Sequence, residues 1–173
     1  MVLTSVKKTA IRRKIKVSLE KRQQVFPLES IKSVGVIVNM DVFSQAEAFL
    51  KLQKELDVEN LKIVAFSDSK KPNQEAQFLQ VSPKNIGIGG SIKSAEIKNF
   101  LEQEFDLLLG YNNKGNLSFN LLIATSKANF KVGIDVENEQ FYDLIIKTDI
   151  QDVEGFSKEL IKYLRILKML KNE

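Results

Sequence analysis

The chain has 173 residues, 43% of them hydrophobic and 28% charged, with a net charge of +4; that is the balance of a single globular domain with room for one core. It holds no cysteine and no histidine, which excludes a disulfide framework, thiolate metal sites and a Ser-His-Asp arrangement, so no metal and no cofactor is expected. Residues 1–24 carry Lys7, Lys8, Arg12, Arg13, Lys14, Lys16, Lys21 and Arg22 against Glu20 alone, a net of +7, while the rest holds 18 basic and 21 acidic residues, a net of −3.

Residues 4–24 lack proline and glycine and are rich in helix formers. Val6, Ala10 and Val17, with Ile11, Ile15 and Leu19, make apolar stripes at helical spacing. Pro27 then interrupts the pattern, since proline disfavours a helical residue before it. The spacing predicts a basic amphipathic helix and a link over 1–27, ahead of one α/β domain over 28–173.

Ile31 to Met40 is a near-continuous Val/Ile run, the pattern of a strand buried on both faces. Asp41 stands where it could cap the following helix, whose apolar face is Phe43, Ala46, Phe49, Leu50 and Leu56. LKIVAF, Leu61 to Phe66, predicts the next strand. Ser67 to Lys84, with Pro72 and Pro83, reads as a long loop with a short turn near Glu75–Leu79.

Gly87-Ile88-Gly89-Gly90 is reminiscent of a phosphate loop. A dinucleotide fingerprint would put a third glycine at Ile92, and the Walker A signature is absent, so these glycines read as a turn or bulge. Ser94 to Glu104 reads as a helix, Phe105 to Tyr111 as a strand, Leu117 to Thr125 as a mostly buried helix and Phe130 to Ile134 as a strand. Lys127 and Lys131, between those last two elements, read as surface lysines near a helix C-terminus, where a cation suits the dipole. Asp143 to Lys147 is a strand that returns as a hairpin or lies at an edge. Val153, Phe156, Leu160, Leu164, Leu167 and Leu170 mark a final amphipathic helix capped by Asp149 or Asp152.

Strands alternating with helices predict a three-layer α/β sandwich around a mainly parallel, Rossmann-like sheet. In such sheets ligands bind beyond the carboxyl ends of the strands. That rim would carry Asn39, Asp41, Ser67, Asp68, Tyr111, Asn112 and Asn113, residues that also close turns and cap helices in any protein.

The whole chain resembles an uncharacterised bacterial family of short α/β proteins, a domain of unknown function. The basic helix, VGVIVNMDVF, FDLLLGYNNKGNLSFNLLIATSKANFKVGI and DLIIKT carry the likeness. Locally it is also similar to the N-terminal half of heptosyltransferase-type glycosyltransferases. Phe130-Lys131-Val132-Gly133 matches a strand end of that family, and Met40-Asp41-Val42 matches its Gly-Asp-Val motif except for Met40. That resemblance implies Asp41 as a general base or ligand anchor in a sugar- or nucleotide-binding protein.

The uneven charge and the lack of a catalytic signature predict a non-catalytic module. Its basic helix would contact RNA, an acidic protein or an anionic membrane surface. The same pattern fits a helix lying on the domain with its stripe buried and its charges in water. No apolar run approaches the roughly 18 residues of a membrane span, and MVLTSVKKTAIRRK has no apolar signal region, so a cytoplasmic protein is expected. A homodimer could form through Phe141, Tyr142 and the edge at 143–147.

Overall fold

The computed structural model describes residues 4–23, 30–68, 77–134 and 136–170. Among them six strands form one sheet: β1 (Ser33–Asn39), β2 (Asn60–Phe66), β3 (Leu79–Val81), β4 (Leu107–Tyr111), β5 (Phe130–Gly133) and β6 (Leu144–Ile145). Every pairing is parallel, in the order β3-β2-β1-β4-β5-β6. The helices are α1 (Ser5–Lys21), α2 (Lys51–Glu55, continuing a 3₁₀ turn over Ala46–Leu50), α3 (Ala95–Glu102), α4 (Leu117–Thr125) and α5 (Val153–Ile166). The α/β three-layer architecture expected from the alternating pattern is the one observed.

Alternation along each strand divides the core. Val34, Val36 and Val38 of β1 meet Phe49, Leu52, Phe156, Leu160 and Leu164, so α2 and α5 cover one face. Ile37, between them, points the other way and shares a cluster with Ile97, Phe100, Phe119 and Leu122 of α3 and α4. Helix α4 is buried almost all round, because the sheet lies on one side and α1 on the other.

The basic helix is therefore part of the domain. Its Ile11 and Ile15 lie in the second cluster with α3 and α4, and Thr4 caps it by accepting a bond from the Lys7 amide. Residues 4–23 of the segment expected at 1–27 are joined to the domain by apolar burial that a stripe alone does not reveal, because an isolated amphipathic helix carries the same stripe; residues 1–3 are not among those described. Residues 24–27 lie outside the described residues.

Several other expectations change. Asp41 caps no helix: the 3₁₀ turn after β1 starts behind Gln45, whose side chain makes no capping bond. Part of the long loop is the short strand β3, paired in parallel with Val64–Phe66; residues 69–76, where the turn near Glu75 was expected, are not among those described. Of the two placements expected for 143–147, strand β6 takes the sheet edge, running parallel to β5. Helix α5 starts behind Asp152 and ends at Ile166, three residues before the buried Met169, with Lys168 in the left-handed conformation (φ 58°) that often ends a helix.

Candidate functional site

In this strand order the connections after β1 and after β4 leave for opposite faces of the sheet, so the gap between their carboxyl ends is where ligands of such folds are held. Asn39 ends β1 and Asn112 follows β4. They are 73 residues apart in sequence, yet Asn39 Nδ2 donates to Asn112 Oδ1 at 3.0 Å in a buried contact. Asn39 Oδ1 accepts from the Asp41 amide at 3.0 Å, and Asn112 closes its own turn through the Lys114 amide and carbonyl.

The next loop joins the same network. Asp41 Oδ1 accepts from Ser67 Oγ at 2.7 Å and Oδ2 from the Asp68 amide at 2.8 Å. Asp68 Oδ2 accepts from Asn116 Nδ2 at 2.8 Å, while Asn116 Oδ1 caps α4 through the Phe119 amide. Five of the expected rim residues, Asn39, Asp41, Ser67, Asp68 and Asn112, thus come together, each bonded to another part of the protein. Asn113 is exposed. Asn116, absent from the expected rim, joins it here; its place just before an apolar helical run is a capping signal.

Tyr111 does not belong to the rim. Its ring is fully buried among Phe43, Phe49 and Phe156, and its hydroxyl donates to the Ile150 carbonyl at 2.7 Å. Burial, reinforced by Asp152 and Asp149, raises the pKa of this phenol far above its ordinary value and keeps it neutral. Among the described residues no three carboxylates converge where they could hold a metal ion.

The eight basic residues of the N-terminal segment divide into two groups. Lys7 Nζ donates to the Pro83 carbonyl at 2.9 Å and Lys14 Nζ to the Gly90 carbonyl at 3.0 Å. Arg22 forms a two-pronged pair with Asp143 at 2.9 and 2.5 Å and also donates to the Asn129 carbonyl. Partial burial and the neighbouring Lys93 lower the pKa of Lys7. By contrast Lys8, Arg12, Arg13, Lys16 and Lys21 make no side-chain bond or ion pair among the described residues, and all but the half-buried Lys8 are exposed.

Lys131 is not the surface lysine its neighbourhood predicts. It is 1% exposed, alternating along β5 towards the α4 layer, and its Nζ donates to the Ile123 carbonyl near the α4 C-terminus at 2.6 Å. Burial, with the Arg22 charge, brings its pKa down to about 7 against a smaller opposing effect of Asp143. Lys127 is exposed as expected. Of the residues considered for a dimer, Phe141 is buried, and the Tyr142 ring lies against Gly110 and Gly133, where any Cβ would clash.

A basic helix built into the core and a satisfied polar rim thus belong to one folded unit. The sequence model of a family of unknown function (DUF6913) matches residues 7–167, a span that takes in the basic helix from its third residue on and the whole sheet. The chain belongs to that family. No curated protein matches it. The DUF6913 match extends over both candidate surfaces, the rim and the outer face of α1. No helix among the described residues is long and apolar enough to cross a membrane.

Proposed function

We propose that this DUF6913 chain is a non-catalytic cytoplasmic module that binds an anionic partner through the outer face of α1. The observation that carries the reading is the division of the basic residues. Ile11, Ile15, Lys7, Lys14 and Arg22 fasten the helix to the domain, while Arg12, Arg13, Lys16 and Lys21 stand in solvent. Cations on a fixed frame lose little freedom when a polyanion neutralises them, and the released counterions make such binding fall with salt.

The triple variant Arg12→Gln, Arg13→Gln, Lys16→Gln tests it. Binding to a polyanion should fall at least tenfold, with a shallower salt dependence and an unchanged unfolding midpoint. Equal affinity in the variant and the parent would remove the proposal.

A second reading is a small sugar- or nucleotide-binding protein, or an enzyme, related to half of a GT-B glycosyltransferase. What favours it is the meeting of Asn39 and Asn112 at the crossing point between β1 and β4, with Asp41 beside them. It predicts a rise in melting temperature with nucleotides or sugar nucleotides that Asp41→Asn abolishes. No shift across such a panel would dismiss it.

A further inference from the structure

We propose that the anionic partner is a lipid bilayer surface, gripped by the outer face of α1 together with the turn at Gly87–Gly90. This deepens the reading above and rests on it.

The turn is tightly built. Ile86 and Ile92 form an antiparallel bridge, the Gly87 amide donates to the Ser91 carbonyl at 2.7 Å, and the Gly90 amide donates to the Gly87 carbonyl at 3.0 Å. Ile86 is wholly buried and anchors the base. Gly90 adopts φ +79°, a conformation costly for other residues, and its α-carbon faces the backbone of Ala10 and Ile11. Lys14 then bonds the Gly90 carbonyl and Lys7 the Pro83 carbonyl, so the turn is tied along the first half of α1.

On this rigid base the tip presents Ile88, 73% exposed, followed by Gly89 with open space around it. Turn tips favour Gly, Asn, Asp and Ser, and nothing in the fold uses an isoleucine here. Beside it on α1, steps of four, three and four residues put Val6, Ala10, Arg13 and Val17 on one stripe, with Val6 68% exposed. Three of the large apolar residues exposed among the described ones therefore share this surface. Exposed cations lie near the stripe, Arg12 and Lys16 on α1 and, at the base of the turn, Lys93, whose charge acts on Lys7.

Apolar tips bordered by long basic side chains suit the headgroup boundary of an anionic bilayer. There the aliphatic groups leave water while Lys and Arg remain at phosphate depth. Single-stranded RNA is usually gripped by aromatic stacking, and residues 4–23 and 83–93 contain no aromatic side chain. An acidic protein would match the cations but has no general use for a protruding Ile88.

The full chain should be sedimented with vesicles of phosphatidylcholine, with and without phosphatidylglycerol, alongside binding to single-stranded RNA and polyglutamate. The expected result is binding to the anionic vesicles only. Ile88→Ser should weaken it roughly tenfold without changing its salt slope, because a transfer contribution is lost and no charge is. Each cation replaced by Gln should weaken it roughly fivefold and flatten the slope. Ile88 is exposed, so its variant should unfold at the parent's midpoint. Vesicle binding indifferent to Ile88→Ser, or binding to RNA or polyglutamate without vesicles, overturns the bilayer proposal and leaves the anionic-partner reading standing. Binding to none of the four overturns both.

Discussion

The carboxyl-end rim and the outer face of α1 are both polar, and they treat that polarity in opposite ways. At the rim Asn39, Asn112, Asp41, Asp68 and Asn116 satisfy one another and tie three loops together. On α1 the anchoring contacts are made by the inner side, leaving Arg12, Arg13 and Lys16 without partners among the described residues. A polar cluster in a ligand-binding position can be structural cement. Charge held on a rigid support with nothing internal to neutralise it is the better pointer to a partner.

That contrast predicts a gradient of stability effects. Arg22→Ala should be the most damaging, because the Asp143 carboxylate, whose side chain is 3% exposed, would lose the guanidinium that pairs with both its oxygens. About 3–5 kcal/mol should be lost in urea unfolding. A loss below about 1 kcal/mol would show that the Arg22–Asp143 pair does little to hold α1 in place.

Next comes the pH dependence set by Lys131, whose folded pKa of about 7 lies below its ordinary 10.5. The unfolded chain therefore binds more protons between those values, and stability should rise with pH across that window, by about 2 kcal/mol from pH 7 to 9. With no histidine in the chain this window is free of imidazole titration. Lys131→Met should flatten the profile. Arg22→Ala should move it to higher pH, since the Arg22 charge helps to hold the lysine down.

Asn39→Ala should cost roughly 1–3 kcal/mol by leaving the buried Asn112 amide oxygen short of a donor. The smallest effect on stability belongs to the outer cations, where Gln substitutions at Arg12, Arg13 and Lys16 should each stay within about 0.5 kcal/mol while binding falls. If the rim substitution were harmless and the helix substitutions destabilising, the contrast would be reversed.

The legible part of this fold is the part whose signal is local. Val34–Val38, Leu107–Leu109 and the Phe156–Leu164 spacing declare buried strands and an amphipathic helix because burial on given faces dictates their periods. Strand β3 was not legible, since Leu79-Gln80-Val81 is too short to show a period inside a polar stretch. The Asn39–Asn112 pair depends on β1 lying beside β4, a fact of strand order that neither segment encodes alone. Lys131 misled because a lysine at a turn is ordinarily solvated, whereas the α4 carbonyl above it supplies a polar partner inside the core.

The docking of α1 on α4 also orders events in time. Ile11 and Ile15 gain their apolar seat only after α4 exists, and Arg22 meets its carboxylate 121 positions further along the chain. During synthesis this helix leaves the ribosome long before anything it packs on. Contacts so distant in sequence are costly to close and slow to form. The nascent chain therefore carries a cationic, amphipathic segment whose inner side has no α4 to cover it until the first four strands have been made.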